Sequence, residues 1–251
     1  MSFDGMSAVV TGAGRGIGAA IADGLALLGT NVVVADLNSS SATSVAERIS
    51  GRGHGGRAVA SDMDAGSAGD HELAVAAAVE EFGRLDFYVN NAGVFQESSL
   101  EDMSVELLHR TLRVNVEGVI FGTQAAARHM RLHGGGSIVN IASIAGTKPR
   151  PNRTAYSSSK AAVLQATNSA AIELGNHRIR VNAVSPGYVD TALTQFMRDD
   201  PDLYDATVGR VPLQRMGRVD EIFSVVRFLL SEDAGYVTGA NIPVDGGSRH
   251  V

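Results

Sequence analysis

Tyr156 and Lys160 are the residues of this sequence whose types and spacing most directly suggest chemistry. They lie four positions apart in the segment TAYSSSKA at 154–161, and residues with this spacing share one face of a helix. A phenol with its ordinary pKa of about 10 is a poor base, but an ammonium beside it favours the phenolate. The pair therefore predicts a tyrosine that moves a proton, against the plain alternative of two exposed side chains on an amphipathic helix.

Two polar residues upstream belong to the same hypothesis. Ser143 ends the apolar segment SIVNIAS, which predicts a strand whose carboxyl end is where ligands bind in open α/β sheets. Its hydroxyl would bind a carbonyl oxygen, although an ordinary strand-end serine has the same sequence context. Asn115 lies in the helical segment LRVNVEGV, where its amide competes for backbone hydrogen bonds. This position predicts a kink or a bound water, with a surface asparagine as the alternative.

A glycine-rich turn near the N-terminus predicts a diphosphate site. The predicted first strand runs into TGAGRGIGAAIADGL, where Gly12, Gly16 and Gly18 precede an apolar-periodic helix. Glycines let the backbone approach a diphosphate closely, and the helix start supplies unpaired N–H groups and a positive dipole. The spacing is TGxxxGxG rather than the more usual GxGxxG, which indicates one branch of the dinucleotide-binding folds.

An acidic residue at the end of the second strand predicts the choice of dinucleotide. Asp36 follows Gly18 by 18 residues, where a carboxylate accepts hydrogen bonds from ribose hydroxyls and repels a 2′-phosphate. At about 4 Å and an effective dielectric near 20, that repulsion is about 4 kcal/mol, so NAD is preferred to NADP. Arg15 opposes this preference if it reaches the phosphate, but it is equally compatible with solvent or the diphosphate. Asp62 is a candidate acceptor for the adenine amino group, or a simple turn residue.

Composition excludes several other classes of function. The chain has 251 residues, a net charge of −6 and no cysteine, which excludes disulfides and thiolate metal sites and argues against nucleic-acid binding. No GxSxG motif accompanies the HGGG at 133–136, so a serine hydrolase is not expected. His129 and His133 lack a third ligand, so no metal is predicted. With no apolar run of 18 residues, we expect a cytoplasmic protein without a membrane or nucleic-acid partner.

Short apolar segments alternate with amphipathic ones along the whole chain. We predict seven strands, at Ser7–Thr11, Asn31–Asp36, Arg57–Ser61, Leu85–Asn90, Ser137–Ala142, Ile179–Val184 and Asn241–Val244. Continuous β-branched runs suit parallel strands that are buried on both faces, with right-handed crossovers between them. The fold class is therefore α/β, a single Rossmann-like domain over 1–251 with a doubly wound parallel sheet and helices on both faces.

Taken together, these motifs resemble the classical short-chain dehydrogenase/reductase family over nearly the whole chain. The marks of the family are TGxxxGxG at 11–18, Asp62, NNAG at 90–93, Asn115, Ser143, YxxxK at 156–160 and Pro186–Gly187. The resemblance implies that Tyr156 is the general acid/base and that Ser143 orients the substrate. It also implies that Lys160 binds the nicotinamide ribose and tunes Tyr156, and that Asn115 holds a proton-relay water.

The same resemblance implies a set of cofactor contacts, including backbone contacts at Ile17 and Val189 and a carboxamide contact at Thr191. The predicted cofactor-binding residues are Gly12, Arg15, Gly16, Ile17, Gly18, Asp36, Asp62, Asn90, Ala92, Gly93, Tyr156, Lys160, Pro186, Gly187, Val189 and Thr191. The expected function is NAD-linked interconversion of a secondary alcohol and a ketone. Preorganised donors at Ser143 and Tyr156 would stabilise the developing alkoxide charge.

Several alternatives remain open at the level of the sequence. The closest in chemistry is a ketoreductase acting on acyl carrier protein, and a non-catalytic NAD-binding sensor has the same fold. Enoyl-reductase relatives would have a longer gap between the tyrosine and the lysine than the one in this sequence. Epimerase-like relatives would have a longer chain. Substrate choice should lie in 188–212, a segment expected to cover the site, and in the loop 144–153. The basic residues of that loop suit a carboxylate or phosphate if they point inward, although a solvated loop is the simpler interpretation.

The segment 154–175 predicts an oligomer. Its small and apolar residues surround much of the helix circumference, and a helix that is apolar on two sides needs two partners. One partner is the sheet. The other is expected to be the same helix of a two-fold related copy, in a homotetramer or at least a dimer.

Overall fold

A seven-stranded parallel sheet spans most of the chain in a computed structural model that describes residues 3–53 and 55–250. The strand order is β3-β2-β1-β4-β5-β6-β7. The strands are β1 (Ser7–Thr11), β2 (Asn31–Asp36), β3 (Ala58–Asp62), β4 (Phe87–Asn90), β5 (Gly136–Ile141), β6 (Ile179–Pro186) and β7 (Asn241–Val244). The α/β class and the seven predicted strands are therefore confirmed.

Helices connect the strands and cover both faces of the sheet. They are α1 (Gly16–Leu27), α2 (Ser39–Ser50), α3 (Ala68–Phe82), α4 (Val105–Leu112), α5 (Gly118–Met130), α6 (Thr154–Leu174), α7 (Gln195–Arg198), α8 (Pro201–Val208) and α9 (Val219–Leu230). A π-helical turn, Arg113–Glu117, joins α4 to α5, and a 3-10 turn, Ile144–Gly146, follows β5. No helix within the described ranges is long and apolar enough to cross a bilayer.

The two faces of the sheet carry separate halves of the core. Val10 and Val34 pack with residues of α1, α2 and α9, whereas Val9 and Val33 pack with residues of α3, α5 and α6. All four valines are fully buried, because neighbouring residues in a strand point to opposite faces and both faces are covered. The burial explains why these strands read as continuous apolar runs.

The order of the strands places a crevice at the end of β1. This strand pairs with β2 on one side and with β4 on the other, so the chain reverses its direction of travel across the sheet at this point. Open α/β sheets bind ligands at such a reversal, outside the carboxyl ends of the strands. The predicted glycine turn follows β1 directly and lies in this crevice.

Candidate active site

The glycine turn closes tightly against the end of β4. Gly12 has a φ of 62°, and a Cβ at this position would lie 2.8 Å from the Cα of Ala92. A Cβ at Gly18 would lie 2.3 Å from the carbonyl oxygen of Gly12. Glycine is therefore needed at both positions. Arg15 precedes α1 without a side-chain cap, and the first turn has no acidic residue, so the N–H groups at this helix start are available to an anion.

The predicted NNAG segment has two different functions in the structure. The Asn91 amide donates to the carbonyl oxygens of Thr11 (2.9 Å) and Gly12 (3.0 Å) and fixes the glycine turn. Asn90 instead is buried in the sheet and donates to Asn140 Oδ1 at 2.9 Å. Asn90 does not line the crevice, because neighbouring strand residues point to opposite sides. Asn90 therefore braces the sheet, and its contact with a cofactor stays a prediction, while Asn91, which is not among the predicted cofactor contacts, is the amide that reaches the glycine turn.

A cavity of about 1040 Å³ extends from the glycine turn to the end of β5, which is large enough for a dinucleotide. Most predicted site residues line it: Gly12, Arg15, Gly16, Ile17, Gly18, Asp36, Ala92, Gly93, Ser143, Tyr156, Lys160, Pro186, Gly187, Val189 and Thr191. Its walls include further residues that the sequence analysis did not single out, among them Leu37, Asn38, Ser41, Met63, Asp64, Val94, Phe95 and Ile141.

Asp36 is held at one end of this cavity. Its two carboxylate oxygens accept from the backbone N–H groups of Gly14 at 2.8 Å and Asn38 at 2.9 Å. These two bonds fix the position of the charge. Arg15 is exposed and lines the same cavity. The arrangement provides a fixed anion and a solvated cation at the same end.

Asp62 ends β3 opposite Asp36 in the sheet register, but it is exposed and does not line the cavity. The next residue, Met63, is buried and lines it instead. Strand alternation again separates the two neighbours. The structure therefore does not bring Asp62 into the cavity, where its predicted contact with an adenine group would be made.

Ser143 and Tyr156 meet at the opposite end. Ser143 follows β5, and its hydroxyl accepts from the backbone N–H of Ala145 at 3.1 Å. The side chains of Ser143 and Tyr156 line the same part of the cavity, and the Ser143 hydroxyl acts to lower the pKa of the Tyr156 phenol against the effect of burial. Phe95 packs edge-on against the Tyr156 ring, with centroids 4.9 Å apart. Both hydroxyl groups thus belong to residues at this end of the cavity, where Phe95 covers one edge of Tyr156.

Lys160 lies behind that patch in the core of α6. Its ammonium donates to the carbonyl oxygen of Ile141 at 2.8 Å, and its Nζ lies 5.9 Å from the centroid of the Tyr156 ring. The residue is 4% exposed, and burial lowers the pKa of its ammonium to about 8. A Cβ at Gly93 would lie 3.6 Å from Nζ, so the absence of a side chain there keeps the ammonium accessible from the cavity.

The spacing of Tyr156 and Lys160 predicts a lowered pKa for Tyr156, and this direction is wrong. Burial raises the pKa of the phenol, and the hydrogen bond from Ser143 and the charge of Arg153 oppose this shift without overcoming it. Desolvation of a phenolate outweighs charges that act from several ångströms away. Tyr156 is therefore a neutral phenol at pH 7, which is the form that donates a proton to a ketone.

Asn115 occupies the π turn Arg113–Glu117, so the expected irregularity in this helix is confirmed. Its Oδ1 accepts from the Val94 N–H at 2.8 Å, and its Nδ2 donates to the Val94 carbonyl and to Ser159 Oγ, both at 3.0 Å. The residue is fully buried and does not line the cavity. Its side chain is committed to positioning the segment after β4.

The described residues contain no group of three histidine, aspartate or glutamate side chains arranged to hold a metal ion. The rings of His129 and His133 stack with centroids 4.0 Å apart. His133 Nδ1 bonds to the carbonyl oxygen of His129 at 2.8 Å. This pair is accounted for by local helix-end contacts.

Comparison with known proteins gives a consistent result. A protein-family model described as enoyl-(acyl carrier protein) reductase matches residues 12–249. The 2-(R)-hydroxypropyl-CoM dehydrogenase of Xanthobacter autotrophicus is 39% identical over 242 residues, which are 95% of this chain and 96% of that protein. The trans-4-hydroxycyclohexanecarboxylate dehydrogenase of Sinomonas cyclohexanicum is 40% identical over 244 residues, covering 96% of this chain and 91% of the other.

Solved structures with the same fold are also similar in sequence. A short-chain type dehydrogenase/reductase from Mycobacterium ulcerans has a TM-score of 0.94 and 32% identity, covering 100% of this chain and 92% of the other. A gluconate 5-dehydrogenase from Burkholderia cenocepacia, in complex with NADP and tartrate, has a TM-score of 0.93 and 33% identity, covering 100% and 97%. A 7α-hydroxysteroid dehydrogenase complexed with NADH has a TM-score of 0.93 and 34% identity, covering 98% and 95%.

Proposed function

The chain belongs to the classical short-chain dehydrogenase/reductase family, and from this membership we propose an NAD(H)-dependent enzyme that interconverts a secondary alcohol and a ketone. Relatives named as hydroxypropyl-CoM and hydroxycyclohexanecarboxylate dehydrogenases support the reaction class. The observation that carries the proposal is the pair of hydroxyl side chains, Ser143 and Tyr156, in the wall of a cavity that Asp36 also lines.

The residues around the cavity fit a nicotinamide dinucleotide. The N–H groups at the start of α1 and the glycine turn would hold the diphosphate, and Lys160 would bind the nicotinamide ribose. By family resemblance, Val189 and Thr191 would contact the carboxamide end, and both line the cavity. When bound, the nicotinamide supplies or accepts the hydride. What this chain contributes is placement of the substrate oxygen and control of its proton.

In the reducing direction, Tyr156 donates its phenolic proton to the carbonyl oxygen as negative charge develops there. Ser143 donates a second hydrogen bond to the same oxygen, so two preorganised donors stabilise that charge. In the oxidising direction, the phenolate takes the proton from the alcohol. Since both side-chain donors of Asn115 are already used, we place any relay water at the main chain of its π turn, where the helical hydrogen-bond ladder is interrupted.

NAD rather than NADP is the cofactor that Asp36 supports. A carboxylate whose position is fixed by two backbone N–H groups accepts from ribose hydroxyls and repels a 2′-phosphate. The solved relatives bind either NADP or NADH, so family membership alone does not choose between them. The proposal of NAD is supported by Asp36.

A second candidate, reduction of a carbon–carbon double bond in an enoyl thioester, follows from the description of the matching family model. The four-residue spacing of Tyr156 and Lys160 and the hydroxyl of Ser143 favour the ketone reaction instead. The deciding experiment is a panel of secondary alcohols, polyols, hydroxy esters, ketones and one enoyl thioester, followed by NADH absorbance. Turnover of the enoyl thioester alone would overturn the proposed function.

The cytoplasmic location remains a prediction from composition.

We also propose the predicted homotetramer, built partly on α6. One side of this helix packs on the sheet, whereas the opposite side exposes a stripe at helical spacing. The exposed residues of α6 are Thr154, Ser158, Ala161, Gln165, Asn168, Ser169, Ile172 and Glu173. Ile172 is 84% exposed, and this large apolar side chain among polar and small ones suits the same helix of a two-fold related copy.

Ile172→Lys is therefore expected to reduce the apparent mass of the protein in light scattering at micromolar concentration. The reason is that four-fold repetition of an unpaired charge at a packed interface is unfavourable. Leu132→Lys is the matched control, since Leu132 is 73% exposed outside α6, and it should leave the mass unchanged. An unmodified protein that elutes as a 26.1 kDa monomer would contradict the tetramer.

A further inference from the structure

A second cavity of about 100 Å³ adjoins the first at the two catalytic hydroxyls. Ser143, Tyr156, Phe95, Gly187 and Thr194 line both cavities. A substrate whose carbonyl carbon faces the first cavity would therefore extend its remaining atoms into the second. The wall is completed by Tyr188 and Met197 from the proposed covering segment 188–212.

Three cationic side chains of one loop line this small cavity. Lys148, Arg150 and Arg153 lie between the 3-10 turn after β5 and the start of α6, and all three are half-buried. From the sequence alone, a solvated loop is the simpler interpretation of these residues. The structure instead brings all three residues to the wall that carries Tyr156.

The three cations differ in how their charge is used. Arg153 pairs with Glu97 at 2.8 Å and lies over the Phe95 ring, with its Cζ 5.1 Å from the centroid. Lys148 donates to the carbonyl oxygen of Ser248 at 3.3 Å, a neutral partner. Arg150 stacks over the Tyr188 ring, with its Cζ 5.5 Å from the ring centroid.

The charges of Lys148 and Arg150 are not neutralised by protein. Within residues 3–53 and 55–250, no carboxylate forms an ion pair with either of them. Stacking on Tyr188 leaves the edge of the Arg150 guanidinium, which carries its N–H groups, open to a ligand. Half-buried cations with unused donors bind oxyanions more strongly than solvated ones, because the local dielectric is lower.

We propose that the physiological substrate carries an anionic group, a carboxylate or sulfonate, held by Arg150 and Lys148 in this second cavity. The proposal rests on the proposed function, since the anion is placed relative to the carbonyl bound by Ser143 and Tyr156. Arg153 orients Phe95 and acts on Tyr156 through its charge, so it is a positioning residue rather than the main anion contact.

The test compares a charged ketone with a neutral one of the same shape, 4-oxopentanoate and 4-oxopentanamide, in NADH-linked reduction. The unmodified enzyme should prefer the carboxylate by about 10-fold or more in kcat/KM. Arg150→Gln and Lys148→Gln should each lower kcat/KM for the carboxylate by about 10- to 100-fold and leave the carboxamide within about three-fold. Arg131→Gln is the matched control, because Arg131 is exposed and outside both cavities.

Equal loss for both substrates in Arg150→Gln would overturn the inference, since it would mean that the guanidinium acts on the reaction and not on a substrate anion. A ketone of the same length with a sulfonate in place of the carboxylate tests the class of anion. A similar preference for the sulfonate and for the carboxylate over the carboxamide supports an oxyanion site. No discrimination between carboxylate and carboxamide in the unmodified enzyme would also overturn it.

A binding measurement separates this inference from the proposed function. Calorimetric titration of the NADH-loaded protein with pentanoate should give affinity at least about 10-fold above that for pentanamide, and Arg150→Gln should remove the difference. Equal binding overturns the anion site even if ketones are reduced. Selective pentanoate binding by a protein that reduces no ketone would instead contradict the proposed function and support the anion site.

Discussion

Tyr156→Phe is expected to lower kcat/KM for ketone reduction by about 100- to 10,000-fold, the usual contribution of a positioned general acid. The change removes one oxygen atom and keeps the edge-on contact with Phe95. It leaves Ser143 as the only one of these two hydroxyl side chains that can donate to the substrate. Affinity for NADH should stay within a few-fold, because Lys160 and the glycine turn are untouched.

Tyr236→Phe is the matched control for this change, because Tyr236 is fully exposed and lies outside the cavity. Its activity should equal that of the unmodified enzyme. Fluorescence titration with NADH checks cofactor binding in both variants. Turnover of Tyr156→Phe within about ten-fold of the unmodified enzyme would remove Tyr156 from the proposed acid/base role.

Asp36→Ala is expected to reduce the preference of the enzyme for NADH over NADPH. In the unmodified enzyme, kcat/KM with NADH should exceed kcat/KM with NADPH by about one to three decades, each decade being about 1.4 kcal/mol. The unscreened repulsion of about 4 kcal/mol is an upper figure, since salt and loop movement relieve part of it. The change in this preference should come mainly from a higher kcat/KM with NADPH. Without the aspartate, Arg15 at the same end of the cavity becomes an unopposed cation for the 2′-phosphate.

The structure adds a second variant and a control to this test. Asp36→Ala also removes the acceptor for the Gly14 and Asn38 N–H groups, whereas Asp36→Asn keeps one acceptor oxygen and removes the charge. Both should improve NADPH use if charge is the cause. Asp62→Ala, the exposed neighbour, should leave the ratio of the two cofactors unchanged. Equal efficiency with both cofactors in the unmodified enzyme would show that Asp36 does not face the ribose.

The strands were predictable because burial on both faces leaves a simple signal. β1, β2 and β7 match their predicted bounds, while β3 starts and ends one residue later than predicted. β6 continues to Pro186 because proline there keeps its carbonyl group and still pairs with Val244 of β7. A proline discourages a strand prediction through its missing N–H, but an end position does not need that donor.

The site was predictable where one residue type is required and less so where the direction of a side chain decides its role. Gly12 and Gly18 follow from steric limits that any sequence with this turn must meet. Asn90 and Asn91 have the same chemistry and differ only in which side of the sheet they face, as do the cavity positions of Asp62 and Met63. The raised pKa of Tyr156 depends on desolvation, which spacing along a helix does not report.

The π turn Arg113–Glu117 has a consequence for how the chain tolerates insertions and deletions. A π turn behaves as one extra residue within an α-helix, so removing one residue there would restore regular helical geometry. It would also change the directions of the side chains within the turn, because the wider π turn sets where they point. Arg113 would then turn away from Asp64, its ion-pair partner, and Asn115 from Val94. The length of this segment is thus fixed as strictly as the identity of any side chain in it.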